Sequence, residues 1–146
     1  MITKQAEILL IEDSLPDIRL TERALKSGQI SYNVSIVRDG IEALAFLRRQ
    51  NSYSDAPRPD LILLDLGLPK KNSTEVLAEI KGDPSLKRIP VVVLTSSDTQ
   101  EDIFATYDLH ANAYTKKPAD ADDFLRAIRT IEEFWLSLVI LPGKEH

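Results

Sequence analysis

The chain has 146 residues, of which 43% are hydrophobic and 28% are charged, a composition typical of one soluble globular domain. It contains no cysteine, which excludes disulfides, thiolate nucleophiles, thiolate metal sites and a chromophore attached through cysteine. The net charge of −5 and the scattered Lys and Arg argue against nucleic acid as a direct partner. Neither a membrane span nor a signal peptide is visible, so we expect a cytoplasmic protein with no membrane partner.

Five apolar runs alternate with five helical patterns along the chain. The predicted strands are residues 8–11, 34–37, 61–64, 91–94 and 111–115. The helical segments that follow them begin near Ser14, Asp39, Ser73, Ser97 and Asp120. This alternation predicts a parallel sheet covered on both faces, and five strands are too few for a closed eight-stranded barrel. We therefore predict an α/β, flavodoxin-like, doubly wound (βα)5 sheet with strand order 2-1-3-4-5.

Local signals place two of the helix starts. Residues 39–42 read Asp-Gly-Ile-Glu, which is similar to a capping box, and residues 97–100 read Ser-Asp-Thr-Gln. We therefore predict that Asp39 and Ser97 cap the second and fourth helices. Ile41 is expected on the buried face of the second helix, together with Leu44 and Leu47.

Polar side chains follow the strands that this order makes contiguous. They are Glu12 and Asp13 after the first strand, Asp65 after the third, Thr95 after the fourth, and Lys116 and Lys117 after the fifth. Carboxylates this close repel one another and need a cation or a proton. Oxygen ligands without His or Cys favour a hard ion such as Mg²⁺. A carboxylate nucleophile, a divalent ion, an amine and a hydroxyl together suit phosphoryl transfer onto aspartate.

Each of these residues also has a simpler interpretation. Asp13 and Asp65 are common helix caps, and Thr95 can be an ordinary loop hydroxyl. Lys117 can be a solvated surface lysine, which is the interpretation that we favour for Lys116. The presence of all of them at one edge of the sheet favours a functional site.

Taken in order, these residues resemble the receiver domains of two-component response regulators. The acidic pair Glu12-Asp13 follows the first strand, and Asp65 ends the third. Thr95 lies 30 residues beyond Asp65 (95 − 65), and Lys117-Pro118 begins 52 residues beyond it (117 − 65). The similarity covers nearly the whole chain.

The resemblance implies roles for the residues of the predicted site. Asp65 would be the phosphoacceptor, taking a phosphoryl group from a sensor histidine kinase. Asp13 and Asp65 would bind Mg²⁺, with Glu12 acting through water and Gly67 through its backbone carbonyl.

The resemblance also implies a switch. Lys117 would pair with the phosphoryl oxygens, and the Lys117–Pro118 peptide bond would be cis. Thr95 would move towards the phosphoryl group, and Tyr114 would turn inward as the switch aromatic. Together they would change the surface formed by the fourth helix, the fifth strand and the fifth helix.

A finer resemblance is to the small response regulators paired with cyanobacterial phytochromes, which implies a phytochrome-like kinase. It rests on residues 64–71, 75–81, 89–95 and 131–136. The chain departs from the receiver pattern at Gly67, where Asn is usual, and at Asn72-Ser73, where Asp-Gly is common. The side chain at position 67 can shape the access of water to the acyl phosphate, so Gly67 can change the lifetime of the phosphorylated state. Ser73 must adopt whatever backbone conformation the usual glycine serves.

We expect residues 1–146 to form a single receiver domain with a short apolar extension from about residue 134 and no output domain. The extension, from Phe134 to Leu141, has more apolar residues than one helix face needs. It either folds back onto its own core or forms an interface. In the second case the chain would form a homodimer through this segment and the switch surface.

Two other functions compete with the signalling receiver. A Mg²⁺-dependent phosphohydrolase acting through an aspartyl phosphate would need an acid/base Asp two residues after the nucleophile, where this chain has Gly67. A degenerate receiver would bind partners without phosphate, and Gly67 and Ser73 keep that alternative open. We expect no turnover enzyme, beyond self-phosphorylation and possible autodephosphorylation.

Overall fold

The computed structural model describes residues 6–26, 32–68 and 72–138 of the chain. Within these ranges the strands are β1 (Ala6–Ile11), β2 (Tyr32–Val37), β3 (Leu61–Leu64), β4 (Val91–Thr95) and β5 (Ala113–Lys116). The α-helices are α1 (Leu15–Lys26), α2 (Gly40–Leu47), α3 (Ser73–Gly82), α4 (Gln100–Asp108) and α5 (Ala121–Glu132). A short 3₁₀ helix, Asn51–Tyr53, precedes β3, and a π-helical segment, Glu133–Leu138, continues α5.

The five strands form one parallel sheet in the order β2-β1-β3-β4-β5, which confirms the predicted fold. Every residue of β3 and β4 is buried, as expected of central strands with a helix layer on each face. The edge strands β2 and β5 are only partly buried. The sheet therefore holds the ends of β1, β3 and β4 in its most rigid part.

Alternate residues of the strands belong to two separate hydrophobic cores, because successive side chains point to opposite faces of a sheet. Leu9, Ile62 and Val93 pack with residues of α2 and α3 on one face. Leu10 and Leu63 pack with residues of α1 and α5 on the other. The start of α1 and the start of α5 therefore lie on the same side of the sheet.

Of the two predicted helix caps, one is confirmed and the other is wrong. The Asp39 carboxylate accepts from the Glu42 amide at 2.8 Å, which confirms that cap. The prediction of Ser97 as a cap was wrong: α4 begins at Gln100, and Thr99 accepts from the Asp102 amide. The hydroxyl of Ser97 instead donates to the Asp102 carboxylate at 2.5 Å.

Ile41 was also misplaced by the sequence pattern, since its side chain is 59% exposed. The buried residues of α2 are Gly40 and residues 43–47, and Ile41 in the first turn is exposed. An isolated exposed apolar residue of this kind is normal on a soluble domain.

The described part of the C-terminal segment is partly folded back onto the chain's own core. Trp135 and Leu136 pack against the core beneath α1 and α5, whereas Phe134 is 47% exposed. The rings of Phe134 and Trp135 meet edge to face, with centroids 5.4 Å apart. The rest of the predicted apolar extension, from residue 139 onward, lies outside the described residues. No helix in the described ranges is long and apolar enough to cross a membrane.

Candidate phosphoacceptor site

Asp65 lies directly after β3, at the carboxyl edge of the sheet. Its amide donates to the Ile11 carbonyl at 3.0 Å, and its own carbonyl accepts from the Ser73 hydroxyl at 2.7 Å. The Asp65 side chain is 13% exposed. The backbone of Asp65 is thus fixed from both sides, while its carboxylate remains reachable from solvent.

Ser73 and the preceding Asn72 require no unusual backbone. Among the described residues, positive φ angles at non-glycine positions occur at Arg49, Asn51 and His110 alone. Ser73 begins α3 and is buried, and the Asn72 side chain caps this helix by accepting from the Thr74 amide. The Ser73 hydroxyl therefore supports the backbone of Asp65 without strain.

The acidic pair after β1 divides into one buried and one exposed carboxylate. Glu12 is 3% exposed, and its Oε2 accepts from the amides of Asp13 and Ser14, both at 3.1 Å. The Asp13 side chain is 49% exposed, and its Oδ1 lies 3.6 Å from a guanidinium nitrogen of Arg38. Arg38 also donates to the Asp13 carbonyl. Only Glu12 therefore reaches the interior of the site in this structure.

Lys117 contacts three carboxylates at the site. Its Nζ lies 2.5 Å from Glu12 Oε1, 2.8 Å from Asp17 Oδ2 and 3.4 Å from Asp65 Oδ1. The lysine side chain is 9% exposed. One nearly buried ammonium group thus contacts three carboxylates from β1, α1 and the end of β3. The interpretation of Lys117 as a solvated surface lysine does not fit this geometry.

Burial, hydrogen bonds and charges at the site together shift two pKa values. Burial, together with the charge of Asp65, raises the pKa of Glu12 to about 7, although the hydrogen bond and charge of Lys117 oppose this shift. Burial by itself lowers the pKa of Lys117, but its hydrogen bonds to Asp17 and Glu12 outweigh burial and raise it. Lys117 therefore stays protonated at neutral pH.

Thr95 ends β4 beside the site and is buried. Its carbonyl accepts from the Lys117 amide at 2.7 Å, which fixes the root of the lysine side chain. Lys116, in contrast, is 57% exposed and pairs with Asp98 at 3.0 Å. The expectation of a cis bond before Pro118 was wrong: no peptide bond in the described chain is cis, and the trans form is the lower-energy isomer.

Tyr114 is half-buried on β5 and packs against the core beneath α2 and α3. Its hydroxyl donates to the Ser97 carbonyl at 2.8 Å, and its amide donates to the Tyr107 hydroxyl at 3.1 Å. Burial raises the pKa of the Tyr114 hydroxyl. The side chain thus links β5 to the segment that directly follows Thr95 at the end of β4.

The described residues at this edge of the sheet include the types of ligand that a divalent metal ion needs, but they are not arranged to bind one in this structure. No three Asp, Glu or His side chains in residues 6–26, 32–68 and 72–138 are placed to share one metal ion. Lys117 lies between Glu12 and Asp65, and Asp13 contacts Arg38. The donors are oxygen atoms of carboxylates, which suit Mg²⁺ or Mn²⁺.

Gly67 lies beside the phosphoacceptor candidate. A Cβ atom at this position would be 3.4 Å from Asp65 Oδ2. Any side chain at position 67 would therefore border the carboxylate of Asp65, and glycine leaves that approach open.

Three contacts at the site were not predicted. Neither Asp17 nor Arg38 was among the predicted site residues, and the Ser73 hydroxyl was given no role. Asp13 precedes the start of α1, so helical spacing gave no signal that Asp17 belongs to the site.

Comparisons with known proteins agree with this geometry. A family model for the response regulator receiver domain matches residues 8–129. Response regulator Rcp1 of Synechocystis is 53% identical over 136 residues, which span 93% of this chain and 92% of that protein. The structure of the phosphorylated cyanobacterial phytochrome response regulator RcpA superimposes with a TM-score of 0.94 at 53% identity, covering 96% of this chain and all of that one.

The Mn²⁺-bound form of Rcp1 superimposes with a TM-score of 0.91 at 51% identity, covering 94% of this chain and 99% of that one. The matched residues include the whole of the Asp65 site and its Lys117. The chain therefore belongs to the family of response regulator receiver domains.

Proposed function

We propose that this chain is a phosphoacceptor response regulator that takes a phosphoryl group from a sensor histidine kinase onto Asp65. The observation that carries the proposal is the contact of Asp65 with the nearly buried ammonium group of Lys117, 3.4 Å away. It places a carboxylate nucleophile on a rigid strand end beside a permanent positive charge. The phosphorylated structure of its relative RcpA supports the same assignment.

The transfer is a substitution at phosphorus. A carboxylate oxygen of Asp65 bonds to the phosphorus atom of a phosphohistidine, the P–N bond breaks, and its electron pair remains on the imidazole nitrogen. Lys117 balances the negative charge of the phosphoryl oxygens, and the hydroxyl of Thr95 donates a hydrogen bond to one of them. Ser73 keeps the backbone of Asp65 in place throughout.

We further propose that Asp13, Asp65 and the carbonyl of Gly67 hold Mg²⁺, with Glu12 acting through water. When bound, such an ion supplies positive charge for both the carboxylates and the phosphoryl oxygens. Support comes from the Mn²⁺-bound relative Rcp1 and from the oxygen-only donor set. Asp13 would have to leave Arg38 to serve as a ligand, and its exposure permits that movement.

The proposed output is a switch in the surface of α4, β5 and α5. Thr95 would respond to the phosphoryl group and Tyr114 would follow, since its hydroxyl already donates to the carbonyl of Ser97, two residues after Thr95. We propose a phytochrome-type kinase as the phosphodonor in the cytoplasm, on the basis of the similarity to RcpA and Rcp1. Repeated phosphohydrolase turnover is not supported, because Gly67 has no side chain to act as acid or base.

The test is the mass of the intact protein after incubation with acetyl phosphate and Mg²⁺. We expect the parent to gain one phosphoryl group and Asp65→Asn to gain none, because an amide is not a nucleophile of this kind. Asp55→Asn, at an exposed position before β3, is the matched control and should behave as the parent. An unmodified parent that is folded and binds Mg²⁺ would contradict the proposal and favour a phosphate-independent binding module.

We also propose a homodimer through α4, β5, α5 and the C-terminal segment. Phe104 and Tyr107 of α4 are 63% and 47% exposed, and Phe134 is 47% exposed. We expect the weight-average sedimentation coefficient to rise with concentration, and Phe104→Ser to weaken that rise. Ile41→Ser removes an equally exposed apolar side chain from α2 and should leave it unchanged. A monomer at all concentrations, with and without phosphorylation, would contradict the dimer.

A further inference from the structure

The ammonium group of Lys117 lies closer to Asp17 than to Asp65, the proposed phosphoacceptor. Its Nζ lies 2.8 Å from Asp17 Oδ2, a hydrogen-bond distance, but 3.4 Å from Asp65 Oδ1. Its second short contact is with Oε1 of Glu12, 2.5 Å away and directly after β1. In this structure the positive charge is therefore directed towards β1 and α1 rather than towards the nucleophile.

Asp17 is anchored independently of Lys117. It belongs to the first turn of α1, where its amide donates to the Ser14 hydroxyl at 3.4 Å. Its carbonyl accepts from the hydroxyl of Thr21, a residue with 1% exposure, at 2.8 Å. Both contacts are made by the backbone of Asp17, so they fix the position from which its short side chain extends.

Lys117 is held at its backbone by Thr95 and at its ammonium group by carboxylates, with a longer side chain between the two ends. Its amide donates to the Thr95 carbonyl, and beyond that point the side chain is a flexible four-carbon stem. When the ammonium group turns towards a phosphoryl group on Asp65, the contact with Asp17 is therefore the one that must lengthen.

Glu12 and Asp17 differ in what else their carboxylates do. Glu12 also accepts from the amides of Asp13 and Ser14, so it has a structural task in the loop after β1. Within the described part of the chain, the Asp17 carboxylate contacts Lys117 and no other cation or donor. A change in its charge thus acts on the position of Lys117 and leaves the loop intact.

We propose that Asp17 is a positioning residue that holds the ammonium group of Lys117 away from Asp65 until a phosphoryl group arrives. The inference rests on the proposed function of Asp65 and adds a residue that opposes the phosphorylated state. The carboxylate of Asp17 lies on the wall of an open cleft of about 820 Å³, whose walls also include Lys117 and Asp123. The released carboxylate can therefore be hydrated there when the lysine leaves.

The test measures the affinity of the protein for beryllofluoride, a phosphoryl mimic, in the presence of Mg²⁺. Asp17→Asn should bind beryllofluoride about tenfold more tightly than the parent, since one hydrogen bond between charged groups no longer opposes the bound state. Asp17→Glu keeps the carboxylate and should restore affinity towards that of the parent. Asp123→Asn makes the same change of charge on the same cleft, at a residue paired with Arg126, and should stay near the parent.

A second readout needs neither metal nor phosphoryl mimic. The ¹⁵N-attached protons of the Lys117 ammonium group should exchange slowly with water in the parent, and faster in Asp17→Asn. Restored slow exchange in Asp17→Glu would show that the carboxylate itself, and not the shape of the first turn of α1, holds the lysine.

Equal or weaker binding of beryllofluoride by Asp17→Asn would overturn the inference, and weaker binding would show that Asp17 directs Lys117 towards the phosphoryl group. The same holds if Asp123→Asn tightens binding as much as Asp17→Asn does. A parent protein that binds no beryllofluoride at all would instead contradict the proposed function. The two failures are therefore distinguishable in one titration.

Discussion

Replacing Lys117 with methionine is expected to abolish phosphorylation and to lower the free energy of unfolding by about 3 kcal/mol at neutral pH. Methionine keeps most of the apolar stem but removes the charge that three carboxylates share. Removing one partner from a buried ion pair typically costs about 3–5 kcal/mol. We expect the lower end, because Asp17 and Asp65 are 27% and 13% exposed and can gain water.

The neighbouring lysine provides the matched control. Lys116 is 57% exposed and pairs with an exposed Asp98, so Lys116→Met should change stability by less than about 0.5 kcal/mol and leave phosphorylation intact. Urea unfolding followed by circular dichroism, together with intact mass after acetyl phosphate treatment, measures both effects. If Lys117→Met matched Lys116→Met in both assays, the central role of Lys117 would be wrong.

The second large effect is a dependence of stability on pH that arises from Glu12. Its folded-state pKa is raised from 4.5 to about 7, so between these values the folded protein keeps a proton that the unfolded chain has released. Stability must then fall as pH rises through this window. At 1.36 kcal/mol for each pKa unit, the loss amounts to at most about 3 kcal/mol.

Glu12→Gln isolates this contribution, because it keeps an acceptor for the amides of Asp13 and Ser14 but does not titrate. With divalent ions removed by a chelator, the stability of the parent relative to Glu12→Gln should decrease between pH 4.5 and 7 and be constant above. Chemical unfolding at intervals across this range gives the difference directly. A difference that instead grows with pH would show that Lys117 keeps Glu12 ionised throughout.

The arrangement of strands and helices was predictable because the sequence signals agree with one another. The apolar runs of β3 and β4 are continuous, which is the pattern of strands buried on both faces. Asp39 was recognisable as a cap, and Asp120 as the start of the last helix, because Asp accepts well from the free amides of a first turn. Because Asp65 directly follows the third apolar run, the strand pattern also placed it at the carboxyl edge of the sheet.

The side-chain geometry of the site was less accessible from the sequence. Glu12 and Asp13 are adjacent, yet the first is buried and the second is exposed. The sequence does not show which of the two side chains points into the site, because that depends on the path of the backbone after β1. Asp17 and Lys117 meet across 100 residues, a contact that depends on α1 and β5 lying near each other in the folded sheet. Composition and periodicity carry no information on such a pair.

The start of α4 shows a different reason for a wrong prediction. Both Ser97 and Thr99 are good caps, and the pattern Ser-x-x-Gln favoured Ser97. In the structure the Ser97 hydroxyl and carbonyl are both used elsewhere, by Asp102 and Tyr114. Tertiary contacts near the site therefore decided between two local choices of similar energy.

The most direct test of the account is to locate the phosphoryl group after reaction with acetyl phosphate and Mg²⁺. Borohydride reduces an aspartyl phosphate to homoserine, which peptide mass spectrometry can assign to one position. We predict homoserine at position 65 in the parent and none there in Asp65→Asn. Reduction at Asp13 or Asp17 instead, or a phosphoryl group that survives in Asp65→Asn, would contradict the account.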